Sequence, residues 1–346
     1  MAKNNEQVCF RTTIGGQALI EGILMRGPDK QAIVCRTAEG MTEKVEPLKL
    51  VKDRHPALGW PFIRGLVIFV DSMVKGMRAL TYSASLLPED EQEEPTKLDL
   101  WLEKKLGSEK AEKIVIGIAA VLGVLLAVGL FLFLPTFIAG LIPGVDGHYT
   151  LRSLLEGALK IVIFLVYLGL IARMKDMKRL FSYHGAEHKT IFCYEKGLPL
   201  TVENVRPQSR FHPRCGTSFL LVVIVLGIFV GLFIQVDSTL LRFALRLLLL
   251  PVIVCAAYEL NRWAGRHDTN IVSRIVTWPG KQLQRLTTAE PDDSMLEVAI
   301  VSMKAALGDM PDGPLTPEGY VIAIPAPKKD EAPAADPAPA QEEPQA

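Results

Sequence analysis

The chain has 346 residues, of which 49% are hydrophobic and 22% charged, and its 38 basic and 38 acidic residues cancel. A net charge of zero leaves no electrostatic footprint for nucleic acid, so direct nucleic-acid binding is not expected; the glycines near the start form neither G-x-G-x-x-G nor a phosphate-binding loop, which argues against nucleotides. Five cysteines (Cys9, Cys35, Cys193, Cys215, Cys255), an odd number with no C-x-x-C pair in a chain too large to need disulfide staples, point to reduced thiols.

In chain order, residues 1–112 read as a cytoplasmic N-terminal region. The opening residues hold no apolar stretch followed by a small-residue cleavage site, so no secretory signal is expected. In GGQALIEGILMRGP, Gln17, Glu21 and Arg26 interrupt an apolar run and are either surface positions or a buried polar network. AIVCR and MTEKVEPL, separated by Ala38-Glu39-Gly40, predict a small hairpin. WPFIRGLVIFVDSMVKGMRAL then puts Phe62, Leu66, Phe69, Val70, Met73, Val74 and Met77 on one helical side, as in a helix lying in the membrane interface or an ordinary amphipathic helix packed on the protein. The acidic run PEDEQEEP, residues 88–95, has no apolar periodicity and reads as a solvated linker.

A spanning helix needs about 20 apolar residues to cross roughly 30 Å of hydrocarbon. Ile114 to Ile142, Leu154 to Ala172, Thr217 to Val236 and Leu240 to Tyr258 match, within a transmembrane region 113–260. Lys160 lies near one end of the second segment, where its ammonium is expected to snorkel, and Arg242 and Arg246 sit near the start of the fourth. The loop 173–216 carries nine cations (Arg173, Lys175, Lys178, Arg179, Lys189, Lys196, Arg206, Arg210, Arg214), whereas the other two connections are nearly free of them. By the positive-inside rule that loop is cytoplasmic, and with four spans so are both termini. The expected class is mainly α: a polytopic protein of the bacterial cytoplasmic membrane with four transmembrane helices and a small cytoplasmic α+β portion. Its first partner is the lipid bilayer.

Residues 261–308 read as a cytoplasmic helical region. It opens with NRWAGRHDTN, a juxtamembrane anchor or the lining of a polar cleft, and continues into a helix capped by Asp292 or Asp293 whose inner face includes Met295, Val298, Ala299 and Ser302. The Pro, Ala and Glu rich tail 325–346 cannot bury enough apolar surface to order itself.

The chemistry is expected in the basic loop, where His184, Glu187 and His188 form H-x-x-E-H. On a helix two histidines four apart project from one face and can share a cation, with the intervening Glu within reach of its water. Met177, Leu180, Phe181, His184, His188, Ile191 and Phe192 fall on one stripe, which places the imidazoles on the buried side; two buried imidazoles and a carboxylate need partners, and a divalent metal, zinc above all, satisfies them together. His212 and Cys215, in FHPRCGT, are the first candidates to complete the ligand set, with Glu195 and Glu259 behind them.

GGQALIEGILMRGP, HGAEHKTIFCYE, HPRCGT and EPDDSMLEVAI, taken in order, resemble the YqhQ-like family of bacterial membrane proteins, over about Gly15 to Lys304. That family is catalogued as a domain of unknown function and described as predicted metal-dependent enzymes. The resemblance implies a metal site at His184, Glu187 and His188, with His212 and Cys215, and no established substrate. The expected activity is hydrolysis at the cytoplasmic membrane face, with Glu187 as general base. The rival expectation is a non-catalytic scaffold whose basic loop docks a protein partner such as the ribosome or an insertion channel, with a structural metal or none. A transporter is disfavoured because no charged residue is expected near the centre of a span.

Overall fold

The computed structural model describes residues 12–49, 55–88, 104–105, 107–145, 147–267, 270–308 and 320–325. The expected acidic linker (but for Pro88) and the expected C-terminal tail (but for Pro325) lie outside them. Strands β1 (Gly15–Leu19), β2 (Gly22–Arg26), β3 (Lys30–Thr37) and β4 (Gly40–Pro47) form an antiparallel meander, and β5 (Tyr320–Pro325) joins the outer edge of β4. The β3–β4 hairpin is the expected one. The tighter β1–β2 hairpin turns through Ile20 and Glu21; Glu21 takes a left-handed φ of 51°, and its carboxylate is held there by Arg179 and by the Tyr183 hydroxyl at 3.2 Å.

Ten helices follow. They are α1 (Arg64–Ser85), α2 (Ser108–Val128), α3 (Leu134–Gly140), α4 (Tyr149–Ile171), α5 (Lys175–Glu195), α6 (Val202–Val205), α7 (Gly216–Gly231), α8 (Thr239–Arg266), α9 (Ile271–Thr287) and α10 (Asp293–Leu307). A π-helical turn, Gly129–Phe133, joins α2 to α3 just before Pro135, whose ring and missing N–H cannot fit an unbroken α-helical ladder. Three rods are long and apolar enough to cross a membrane: Ile114–Gly140, Tyr149–Ile171 and Thr239–Gly265, of 27, 23 and 27 residues. The apolar α7 is shorter, at 16 residues.

The sheet is covered on both faces, which is why β2 reads Ile-Leu-Met without alternation. Ile23, Met25, Ala32 and Val34 pack on α5 and α10, and Leu19, Leu24, Ile33 and Cys35 pack under Ala79 of α1. Helix α10 begins at Asp292, whose carboxylate accepts the Met295 N–H at 3.0 Å, and ends at Gly308 with a left-handed φ of 82°. Helix α1 spans two layers: Gly65 lies so close to α8 that a Cβ there would stand 2.8 Å from Tyr258, and Arg64 pairs with Glu259. Phe62, just before α1, and the side of α1 carrying Phe69, Val70, Met73 and Val74 are exposed.

Two expectations fail. Helix α5 is not amphipathic: Tyr183, Ala186, Glu187, Lys189, Thr190 and Cys193, off the expected stripe, are buried, while Met177, Leu180 and Phe181 are only half-buried. The helix is wedged between sheet, α10 and the segment leading to α7, so its C-terminal half is enclosed all round. Nor do the spans keep their charges at the ends. Arg152, Glu156, Lys160, Arg242 and Arg246 are all buried between α4 and α8, because Glu156 supplies a countercharge inside and carbonyls at the end of α7 accept the guanidinium protons.

Because Leu296 is fully buried against the sheet and α5 whereas Leu126 is 70% exposed on the α2 rod, their truncations should differ. Leu296→Ala should cost about 2–5 kcal/mol and Leu126→Ala less than about 0.5 kcal/mol, read as thermal unfolding of detergent-solubilised protein; equal shifts would contradict the packing.

Candidate functional site

Helix α5 carries its histidines into a pocket closed by three other elements. His184 Nδ1 lies 2.8 Å from the Thr287 carbonyl at the end of α9, and His188 Nδ1 lies 2.6 Å from the Arg210 carbonyl. A carbonyl only accepts, so both Nδ1 atoms carry the proton, and in the neutral rings Nε2 keeps its lone pair. The rings meet edge to face with centroids 4.4 Å apart. Cys215, the N-cap of α7, places Sγ 3.2 Å from His184 Nε2 and accepts from the Thr217 hydroxyl at 3.3 Å. One donor atom from each of His184, His188 and Cys215 lies within 4.8 Å of the others. Two imidazole nitrogens and a thiolate at that spacing match the donor set of a tetrahedral zinc site with one position open, and their Nδ1–carbonyl bonds are the usual outer support of such ligands.

Glu187 is buried beside this cluster. Its Oε1 accepts the Gly16 N–H at 2.8 Å, the one hydrogen bond to its carboxylate among the described residues. Gly16 is required: a Cβ there would stand 2.7 Å from the Leu24 carbonyl oxygen and 2.9 Å from Glu187 Cδ. Burial pushes the Glu187 carboxyl up, and the two histidines only partly oppose it. Burial also works against charge on Cys215 and His184, but each stabilises the other: the two imidazoles hold the Cys215 thiol well below its usual range, and the thiolate raises His184 to about 9. The pocket thus favours a Cys215 thiolate paired with a His184 imidazolium; a metal would take the thiolate as it stands and displace the proton on His184 Nε2.

His212 stands one layer behind. Its ring centroid is 5.5 Å from that of His188, but Nδ1 faces the Arg214 N–H at 3.4 Å and Nε2 faces Glu195 Oε2 at 4.0 Å, so no lone pair points at the cluster. Burial, with His188 and Arg214 adding to it, pushes His212 down to about 4. Glu195 and Glu259 lie outside the cluster as well: Glu259 pairs with Arg64, and Glu195 binds the Thr12 amide at 2.9 Å, the Thr12 hydroxyl at 3.0 Å and Arg214. Glu195 therefore positions Cys215 from one residue away.

The groups that orient this site were not visible in the sequence. The Thr287 and Arg210 carbonyls and the Gly16 amide are main-chain atoms any residue would supply. Gln284 is a side chain with the same duty: fully buried, it accepts the His212 N–H at 2.7 Å and donates to the His212 carbonyl at 2.8 Å, stapling the segment before Cys215 to α9. Lys189 likewise ties α5 to the Arg206 carbonyl at 2.8 Å and to Glu290. A cleft of about 1090 Å³ opens alongside, between α1, the sheet and the end of α8. Arg26, Arg64, Arg214, Asn261 and Arg262 line it, and it reaches Gly15 and Arg214, the chain neighbours of Gly16 and Cys215. Asn261 and Arg262 of the NRWAGRHDTN run thus face a cleft, while Trp263 is exposed and stacks on His267 at 5.3 Å. Asp268 lies outside the described residues.

These features define a mainly helical protein with rods of membrane-crossing length, a small antiparallel sheet, and a two-histidine, one-cysteine pocket between them. The chain belongs to the DUF1385 family, described as a protein of unknown function, whose model matches residues 60–309. It is 34% identical over 297 residues to "Uncharacterized protein YqhQ" of Bacillus subtilis (strain 168), covering 85% of this chain and 92% of that protein. No solved structure matches.

Burial alone would raise Glu195, but His212, the Thr12 amide and Arg214 together hold it at about 2 against an ordinary 4.5. A depressed folded-state value stabilises above the unfolded one, so this contribution is complete above about pH 4.5 and is lost as pH falls toward about 2. Glu195→Gln should lower stability at pH 7 by about 3 kcal/mol and flatten the decline of the unfolding midpoint below pH 4.5; an unchanged acid limb would remove Glu195 from this role.

Proposed function

We propose that the protein is a metal-dependent hydrolase of the bacterial cytoplasmic membrane, with four spans, both termini in the cytoplasm and its reaction centre at the cytoplasmic face. The observation that carries this reading is the convergence of His184, His188 and Cys215, each imidazole tied through Nδ1, beside the buried carboxylate of Glu187. In this reading α7, continued by the apolar residues up to Val236, is the fourth span, and the cations of residues 173–216 lie inside. The exposed apolar side of α1 rests in the membrane interface, anchored by its contact with α8.

His184, His188 and Cys215 would hold the ion, zinc being the best match to two nitrogens and a thiolate. Such an ion lowers the pKa of a bound water toward neutrality. Glu187, with one oxygen fixed by Gly16, is placed to accept a proton at the other and return it to the leaving group. The cleft between α1 and α8, which reaches Gly15 and Arg214 beside the site, would receive a peptide bond or a lipid-linked group arriving along the bilayer. The scaffold reading loses ground because five of the nine loop cations, Arg179, Lys189, Arg206, Arg210 and Arg214, are paired within the fold to Glu21, Glu290, Asp293 and Glu195.

Metal analysis of purified protein should find one divalent ion per chain in the wild type and in Glu187→Gln, and at least a tenfold loss in His188→Ala. In cells lacking the wild-type gene, Glu187→Gln should leave the uncleaved substrate accumulating in membrane peptide and lipid profiles just as the deletion does. A metal content indifferent to His188, or full complementation by Glu187→Gln, would reject the enzyme.

A further inference from the structure

The charged cluster between α4 and α8 is unbalanced. Glu156, completely buried, is flanked by Arg152 at 3.5 Å, Arg242 at 2.9 Å and Arg246 in direct contact. Lys160, also buried, lies one helical turn further along α4, within electrostatic reach of Glu156 and Arg246. Among the described residues one carboxylate thus faces four cations, while Asp237, exposed at the rim, engages the Tyr149 hydroxyl at 3.1 Å.

Two of the four cations have further partners, although the Arg152 Nε is also buried without a hydrogen bond among the described residues. Arg242 donates to the Ile234 carbonyl at 2.7 Å and to Ser153; Arg152 donates to the Asp237 carbonyl at 2.8 Å and to the Thr239 hydroxyl at 2.7 Å. The other two do not. Arg246 pairs through Nη2 with Glu156 alone, and its Nε is buried with no hydrogen bond among the described residues. No hydrogen bond or ion pair reaches the Lys160 ammonium among the described residues. Opposite both cations, α7 carries glycines: a Cβ at Gly231 would stand 2.8 Å from Arg246 Nη2, and one at Gly227 would stand 4.0 Å from Lys160 Nζ. Lys160 and Arg246 also keep slight access, 8% and 7%, where Arg242 has none.

An ammonium buried without a partner, beside a guanidinium that shares one carboxylate with two others, costs several kcal/mol on two candidate spans unless an anion joins them. We propose that Lys160 and Arg246 form a binding site for a phosphate-type oxyanion, carried by a lipid headgroup or free in solution. A phosphate offers several oxygens, enough to accept from Arg246 Nε and from the ammonium at once, and its charge answers the excess that Glu156 leaves. At 1.5 Å per residue Lys160 lies about 16 Å along α4 from its start at Tyr149, midway along the 23-residue helix. The site is separate from the His–His–Cys pocket and does not depend on it.

The test uses the full-length protein in two arms. In the first, native mass spectrometry follows release from nanodiscs of phosphatidylglycerol or phosphatidylcholine; in the second, equilibrium dialysis in detergent uses radiolabelled orthophosphate. A one-to-one adduct in the phosphatidylglycerol arm alone identifies a lipid headgroup, and saturable binding in the orthophosphate arm identifies a free anion. In whichever arm binds, Lys160→Gln and Arg246→Gln should each weaken binding at least tenfold, Arg246→Lys should retain most of it, and Arg173→Gln should not matter. Thermal unfolding separates loss of binding from loss of fold: the bound probe should raise the wild-type midpoint but not that of Lys160→Gln, which, relieved of an unpaired buried charge, should unfold no lower than wild type without the probe. Absence of binding in both arms, binding indifferent to both substitutions, or marked destabilisation by Lys160→Gln alone would overturn the site.

Discussion

The site depends on two hydrogen bonds from imidazole Nδ1–H groups to main-chain carbonyls, His184 to Thr287 and His188 to Arg210. Each fixes a tautomer and a ring plane, and together they turn two Nε2 atoms toward the sulfur of Cys215. The carbonyls come from different parts of the chain, so the pocket exists only when α9 and the segment before α7 have both docked on α5. Gln284 and the Arg210 guanidinium, which bonds Thr288, make those dockings one event rather than two.

Helix α5 bears the cost of this arrangement. It is a polar helix in an interior position, and an interior helix that is not apolar must have a partner for each buried group. Tyr183 has Glu21, Glu187 has Gly16, Lys189 has Arg206 and Glu290, and Glu195 has Thr12 and Arg214. Most of these partners lie far away in sequence, in the first strands and in the segments around α9. The small sheet is thus part of the site: β1 brings Gly16 to Glu187, and the β1–β2 turn brings Glu21 to Tyr183 and Arg179.

What could be read from sequence, and what could not, follows from the physics of each signal. Twenty-residue apolar runs report the bilayer's thickness, so the rods at 114–140, 149–171 and 239–265 were plain. H-x-x-E-H reports helical periodicity, so the shared face of His184 and His188 was plain as well. The stripe on α5 misled because a period of 3.6 locates one buried face and is blind to a second cover; the sheet behind Tyr183 and Glu187 came from residues more than 150 positions away. His212 and Cys215 were equal candidates because a four-residue spacing in a loop says nothing about which ring nitrogen is already in use. Lys160 was read as snorkelling, and Arg242 and Arg246 as lying near the start of their segment, because Glu156 and Arg242, 86 residues apart, become neighbours only when the helices pair.

The pocket and the membrane cluster solve the same problem in opposite ways. Around α5, most buried polar groups are matched by the fold itself, the Thr190 hydroxyl aside, and two nitrogens, a sulfur and a carboxylate converge at one point; between α4 and α8, positive charge is left over. X-ray absorption at the zinc edge, on protein loaded with one equivalent of zinc, tests the first point most directly. The account predicts a first shell of about two nitrogens near 2.0–2.1 Å and one sulfur near 2.3 Å, with the sulfur lost in Cys215→Ala. A shell of nitrogen and oxygen alone in the wild type, or a sulfur that survives the substitution, would contradict it.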